Sequence, residues 1–175
     1  MACSTVSNGR SIPCKSSIGG LKNIFFAPYT DTTAALTDSA GTITLDDSVS
    51  FYKYELLKGT STLETTITSS RENGTTYYET TLNVSLVHLD VATQEQIKLL
   101  AHGRPQIVVE TYQGDGFLVG KEHGADVTGG TIVTGAAFAD FNGFTLTLTA
   151  QETAPPFFVA SLPSDDSTSP IDPNA

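Results

Sequence analysis

Positive charge, tryptophan and long apolar runs are scarce in this sequence, and each scarcity argues against a class of function. Nine Lys and Arg stand against 19 Asp and Glu, the formal net charge is −10, and neither Lys nor Arg occurs after Lys121. Binding of DNA through its phosphates needs clustered Lys and Arg, so the composition argues against it. The lack of Trp weakens a carbohydrate-binding function, because sugars stack on aromatic rings.

Membrane and secretion signals are also missing from the sequence. No stretch approaches the ~18 apolar residues of a membrane span. The N-terminus has neither the basic region nor the apolar run of a signal peptide. We therefore expect a soluble protein that is made in the cytoplasm and has no membrane partner.

Residues that could carry catalysis or bind a metal are scattered along the chain. His88, His102 and His123 show no i, i+4 pairing, so the sequence does not indicate a metal site. Neighbouring carboxylates such as Asp46-Asp47 would point to opposite faces of a strand, unlike an acid pair that spans a cleft. No serine-nucleophile elbow or phosphate-binding loop is present. We predict a protein that is not an enzyme and that uses no cofactor or metal.

The two cysteines, Cys3 and Cys14, both lie in a polar N-terminal segment. Their spacing is not that of a zinc finger. Three interpretations stay open: two free thiols, a local disulfide in an oxidising compartment, or a bond to a neighbouring subunit.

The residues that are abundant favour β-structure. Charged residues make up only 16%, so much of the polar surface must be Thr, Ser, Asn and Gln. Thr is β-branched and suits a pleated, half-exposed surface. We predict a mainly β fold, a sandwich or open barrel of seven or eight strands with one short packed helix. Three segments are expected: an N-terminal arm (1–22), a β domain (23–160) and a flexible C-terminal tail (161–175).

The predicted helix covers residues 91–101. Asp90 is a good N-cap, and Gly103 is expected to end the helix in the left-handed conformation. The predicted apolar face consists of Ile97 and Leu100, with help from Val91 and Leu99.

A long hairpin is predicted over residues 61–87, with Asn73-Gly74 at its turn. In its second strand, apolar residues and a threonine alternate on one face: Tyr78, Thr80, Leu82, Val84 and Leu86. The outer part, residues 58–76, has too few apolar side chains to form its own core. We expect that part to project and to meet another subunit.

Several segments together resemble the tail tube proteins of tailed bacteriophages, which are virion structural proteins. They are GRSIPCKSSIGGLKNIFF near the N-terminus, IVVETYQGDGFLVG after the helix, and GAAFADFNGFTLTLTAQETAPPFFV towards the C-terminus. The resemblance covers most of residues 9–160. It implies a β-sandwich or barrel with a flanking helix that forms stacked hexameric rings in the virion tail, where inner sheets join across subunits around a channel for genomic DNA.

The resemblance also implies the partners of this chain. They are further copies of itself, other tail proteins such as the sheath, terminator or baseplate, and DNA that passes without sequence-specific binding. An acidic surface suits that passage, although solubility alone also explains the charge. The predicted inter-ring contacts are Leu63, Thr65, Ile67, Arg71, Glu72 and Asn73. The alternative function is a surface, fibre or adhesin-like binding domain of a virion.

Overall fold

The computed structural model describes residues 8–12, 14–29, 36–39, 41–46, 48–168 and 171–172. Within these ranges the chain forms two sheets and a single α-helix, so the predicted mainly β fold with one short helix is confirmed. The strands are β1 (Leu21–Ala27), β2 (Leu36–Ser39), β3 (Thr42–Leu45), β4 (Tyr52–Glu55), β5 (Thr62–Ser70), β6 (Thr75–Val87), β7 (Gln106–Thr111), β8 (Gly116–Val119), β9 (Asp126–Val133), β10 (Gly143–Glu152) and β11 (Phe157–Val159). The helix α1 spans Val91–His102.

The larger sheet has seven strands in the order β2-β3-β11-β8-β7-β1-β4, and it is strongly curved. On a flat sheet β3 and β4 would lie about 24 Å apart, since neighbouring strands are ~4.8 Å apart. The connection between them, residues 46–51, could barely span that distance even when fully extended. It contains a turn instead, in which the amide of Val49 donates to the carbonyl of Asp46 at 3.2 Å. The sheet must therefore curl towards a barrel that brings β3 and β4 together.

Both faces of the seven-stranded sheet are buried in its central strands. Phe25 and Val108 point into the curl, where they pack with Ile43 and Phe51. Their chain neighbours point the other way, towards the second sheet. This two-sided burial explains why Ile24-Phe25-Phe26 and Ile107-Val108-Val109 are continuous apolar runs instead of alternating ones.

The smaller sheet has four strands in the order β5-β6-β10-β9 and packs with one face only. Its inner residues are buried against β1, β7 and β8. They alternate along β6, as predicted, and likewise along β10: Leu82, Val84, Leu86, Phe144, Leu146 and Leu148. The opposite face carries polar residues, as expected for an antiparallel sheet with one face exposed.

The helix begins as predicted but differs at its end and on its faces. Asp90 caps it, since its side chain accepts from the amide of Thr93 at 2.7 Å. Gly103 has φ −98°, so the prediction of a left-handed position was wrong; the chain extends directly into β7.

The apolar face of the helix is narrower than the sequence indicated. Ile97 and Leu100 pack against the core between the sheets, as predicted. Val91 and Leu99 are exposed by 80% and 64%, and their predicted packing was wrong. The helix lies at the rim of the sandwich, where only a narrow stripe of it meets the core.

Candidate assembly surfaces

The exposed side of the four-stranded sheet is a polar surface rich in threonine, and we call it the threonine face. Alternation and strand register place its residues on the side opposite the core. It comprises Thr62, Glu64, Thr66 and Thr68 on β5, Tyr77, Glu79, Thr81, Asn83 and Ser85 on β6, Thr145, Thr147, Thr149 and Gln151 on β10, and Asp126, Thr128 and Thr131 on β9. The face carries three acidic residues and neither Lys nor Arg.

Hydroxyl groups of the threonine face bond to one another across the strands. The side-chain oxygens of Thr131 and Thr145 are 2.5 Å apart, and Thr147 donates to the Asn83 side chain at 3.0 Å. Cross-strand pairs of this kind stabilise a sheet by roughly 0.2–1 kcal/mol each. These polar groups therefore satisfy part of one another's hydrogen-bonding capacity. The hydrogen bonds fix the shape of the surface and reduce its need for an external ligand.

Both edges of the four-stranded sheet are open in the described part of the chain, where neither β5 nor β9 has a partner on its outer side. Unpaired edges present rows of N–H and C=O groups to other chains, and monomeric proteins usually protect them. At β9, Gly130 approaches β10 so closely that an added Cβ would lie 2.8 Å from the Thr145 carbonyl oxygen. The two edges are therefore candidate surfaces for contact with another chain.

The hairpin of β5 and β6 contains all six residues predicted to contact a neighbouring ring. Leu63 packs against the core, and the Thr65 hydroxyl is bonded to that of Thr80 at 3.0 Å. The expectation that the whole of 58–76 projects was therefore wrong for its inner half. Ile67 is 64% exposed, and the turn presents three exposed residues: Arg71, Glu72 and Asn73. Pairing with β10 stops at Tyr78, so the outer end of the hairpin extends beyond the sheet.

The terminal segments differ in how they attach to the domain. The described part of residues 8–20 is exposed throughout and includes Cys14, whereas Cys3 lies outside the described residues. Part of the predicted flexible tail is bound to β4 and to Phe51 just before it. Asp166 exchanges two bonds of 2.9 Å with the backbone of Phe51, and the Asp165 side chain accepts from the amide of Lys53 at 3.3 Å. These bonds cover the outer edge of the seven-stranded sheet.

Two buried glutamates lie near the ends of strands, and their pKa values are shifted in opposite directions. Glu110 on β7 accepts from Lys22 at 2.9 Å and from Asn23 at 2.5 Å. Burial raises the pKa of Glu110, but the bonds from Lys22 and Asn23 outweigh it and leave the pKa below its usual value. Burial raises the pKa of Glu152 on β10, although its carboxylate accepts from the amide of Glu122 at 2.7 Å. Both groups serve to fix the fold.

A loop between β9 and β10 presents an aromatic residue that the sequence did not single out. The Asp140 carboxylate accepts from the amides of Ala136 and Ala137 at 2.9 and 2.8 Å. These two backbone bonds hold the pKa of Asp140 below its usual value. The braced loop leaves Phe138 fully exposed.

The described residues were also compared with the requirements of a metal site and of a membrane span. They contain no group of three His, Cys, Asp or Glu residues that could hold a metal ion. No described helix is long and apolar enough to cross a membrane. His88 has a positive φ of 74° at the end of β6, and its amide donates to the Asn142 carbonyl at 2.8 Å, which indicates a structural role in the turn.

Comparisons with protein-family models, curated proteins and solved structures find no match for this chain.

Proposed function

We propose that this chain is the structural subunit of a bacteriophage tail tube, in which copies form stacked, hexameric rings around a channel for DNA. The observation that carries the proposal is the four-stranded sheet, which has, within the described residues, two open edges and a polar face without Lys or Arg. A sheet of this kind can be continued sideways by identical copies while the polar face remains in contact with water.

Edge-to-edge pairing explains why both β5 and β9 are open. A contact of β9 in one copy with β5 in the next is head-to-tail, and such contacts close into rings when the rotation between copies allows it. Six four-stranded sheets would make 24 strands. With a spacing of ~4.8 Å and a tilt of about 40°, the backbones across the barrel would be about 50 Å apart. That is wide enough for duplex DNA.

The charge of the threonine face suits a channel wall. Glu64, Glu79 and Asp126 are its only ionised residues, and all are acidic. Phosphates are repelled by such a surface and find no Lys or Arg to retain them. DNA could therefore slide along the wall without adhering to it.

The outer end of the hairpin supports contact between successive rings. Residues 68–77 extend past the end of β10, and the turn is exposed and bears the charges of Arg71 and Glu72. If the sheet lines the channel, an extension directed along the strands would leave the ring at the strand tilt of about 40° to the tube axis and so reach towards the next ring. We propose that the turn meets the next ring, together with the virion partners that end the tube.

Negative-stain electron microscopy of the concentrated full-length protein tests the proposal. We expect rings and short tubes with a stain-filled centre, together with a mass above that of a monomer in light scattering. A strictly monomeric protein at every concentration would contradict ring formation. A monomer or trimer that binds cells or glycans would instead support the alternative of a surface-binding domain.

A further inference from the structure

The chain contains three pairs of asparagine followed by glycine: Asn8-Gly9, Asn73-Gly74 and Asn142-Gly143. Such a pair can lose the asparagine side-chain nitrogen in water, because glycine has no Cβ to keep its backbone nitrogen away from the asparagine side chain. The reaction needs a side chain that can turn towards the next amide and an amide that can leave its present contacts. The structure places the second and third pairs in opposite surroundings.

Asn73-Gly74 lies at the tip of the β5–β6 hairpin, where residues 71–74 are all exposed. The backbone amide of Asn73 donates to the Ser70 hydroxyl at 3.3 Å, whereas its side chain forms no hydrogen bond within the described residues. The space around Gly74 is open, since a Cβ placed there would have no neighbouring atom within 4 Å. The Asn73 side chain and the Gly74 nitrogen are therefore accessible to each other and to water.

Asn142-Gly143 has the same two residue types, but its glycine is fixed in the sheet. Gly143 is buried at the start of β10, between Val87 on β6 and Val133 on β9. The carbonyl of Asn142 accepts from the His88 amide at 2.8 Å on the β6 side. Successive residues of a strand direct their backbone groups to opposite neighbours, so the Gly143 amide points to β9 and belongs to the ladder there. Its nitrogen can attack only after that pairing opens.

We propose that Asn73 is a site of spontaneous deamidation, with water as the only co-reactant. The Gly74 backbone nitrogen loses its proton to solvent and forms a bond to Cγ of Asn73, and the side-chain nitrogen leaves as ammonia. Water then adds to one of the two carbonyl carbons of the resulting succinimide ring and breaks the bond of that carbon to the ring nitrogen. The product is aspartate or isoaspartate at position 73.

Deamidation changes the charge at the tip of the hairpin. Arg71 and Glu72 are the only charged residues between positions 65 and 78, so this stretch is neutral before the reaction and net negative after it. Because the chain has a net charge of −10, an added carboxylate at a contact between copies is unfavourable. This consequence rests on the proposed function, unlike the reaction itself: reacted subunits should stack poorly, and stacking should protect Asn73.

Peptide mass spectrometry of the unassembled full-length protein tests the reaction. The protein is incubated in mildly alkaline buffer made with water that carries a heavy oxygen isotope, so that the label marks each hydrolysis during the incubation. Asn73 should react at least about fivefold faster than Asn142, the factor expected if a single ladder bond has to open first. Asn8-Gly9, which is also exposed, is the reference for an accessible pair.

Unfolding in urea supplies the control for the role of the fold. Asn73 and Asn142 should react at similar rates in urea, because the amides of both glycines are then equally accessible. Label that fails to appear at position 73 of the folded protein, or that appears there no faster than at position 142, would overturn the proposal.

Two variants of the same position test the consequence for stacking. Asn73→Asp carries the charge from the start, whereas Asn73→Gln stays neutral and cyclises far more slowly. In negative-stain images, the mean tube length should be about fivefold smaller for Asn73→Asp than for Asn73→Gln, as expected for one unfavourable exposed charge in each subunit. Tubes of equal length would contradict the effect of the charge on stacking.

The modification and the tube fail separately in these experiments. Tubes formed by a protein whose Asn73 does not react would contradict the modification and leave the tube. Selective reaction at Asn73 in a protein that never assembles would retain the modification and contradict the tube.

Discussion

The two sheets of this protein are built from the same strand-forming residues but differ in which of their faces and edges are covered. The seven-stranded sheet is buried on both faces at its centre, and the C-terminal segment covers its β4 edge. The four-stranded sheet is buried on one face, and neither of its edge strands has an outer partner among the described residues. The β4 edge of the first sheet is thus covered within the chain, whereas both edges of the second sheet are left unpaired there.

The difference between the sheets leads us to expect that one set of residues determines stability and another determines assembly. Residues between the sheets should determine whether the domain folds, and residues on the threonine face and its edges should determine what the folded domain joins. Four predictions test that separation, beginning with the largest expected effect.

Two neighbouring residues of β10 give the sharpest contrast. Leu148 is buried between the sheets and Thr147 faces outwards. Leu148→Ala should lower the free energy of unfolding by about 2–5 kcal/mol, because it removes buried methyl groups and leaves a cavity. Thr147→Ala should cost about 1 kcal/mol or less, since its bond to Asn83 is exposed. Urea unfolding of both variants measures the difference, and equal losses would show that the threonine face is itself part of a core.

The edge of β9 should control assembly with little effect on folding. Ile132 faces the inner side of the sheet at its edge but is 60% exposed. Ile132→Lys should prevent ring formation, because a charge at an edge strand opposes pairing, and it should change the stability by about 1 kcal/mol or less. Val91→Lys, at an 80% exposed helix position, is the matched control. Sedimentation velocity that shows rings for Ile132→Lys would exclude β9 from the subunit contact.

The outer hairpin should affect stacking but not the ring. Thr68 and Tyr77 are opposite each other, so residues 69–76 can be replaced by a two-residue Asn-Gly turn that continues the ladder. We expect a melting temperature within a few degrees of the parent protein, with single rings in place of tubes. Unfolding of this variant would show that the tip supports the domain, and unchanged tubes would exclude the tip from ring stacking.

The two buried glutamates should give opposite pH profiles, one in each sheet. The pKa of Glu110 is lowered in the folded state. Its contribution to the free energy of unfolding is therefore present above the unfolded pKa of about 4.3, and it is lost as the pH falls through the folded pKa. The pKa of Glu152 is raised, so its contribution is present below about 4.3 and is lost as the pH rises through the folded value.

Conservative amide variants measure both profiles. Glu152→Gln should gain stability relative to the parent protein as the pH rises above the folded pKa of Glu152. The amide oxygen of the variant can still accept a hydrogen bond, and no charge is buried. Glu110→Gln should lose stability relative to the parent at neutral pH, and the deficit should shrink in acid. Urea unfolding between pH 3 and 8 checks both, and parallel profiles would contradict the assigned environments.

Alternation and capping were enough to predict β6 and the start of the helix, because local residues determine these features. Strand β9 was missed because Gly129-Gly130 resembles a loop, and the need for glycine there arises only from the close approach to β10. The bonds of Asp165 and Asp166 to residues 51–53 were missed for the same kind of reason. They depend on the curl of the seven-stranded sheet, which no short stretch of sequence encodes.

The candidate assembly surface was predictable in part. The sequence indicated a polar hairpin but could not show that Leu63 belongs to the core or that only the outer end is free. The threonine face requires four strands in register, two of which are distant from the others in the chain.

Amide hydrogen exchange on the assembled and the monomeric protein tests the central claim most directly. If β5 and β9 join neighbouring subunits, the outward-facing amides of Thr62–Ser70 and Asp126–Val133 should gain protection on assembly, while the buried centre of β7 should stay unchanged. Assembly that leaves both of these edge strands as exposed as they are in the monomer would contradict the account.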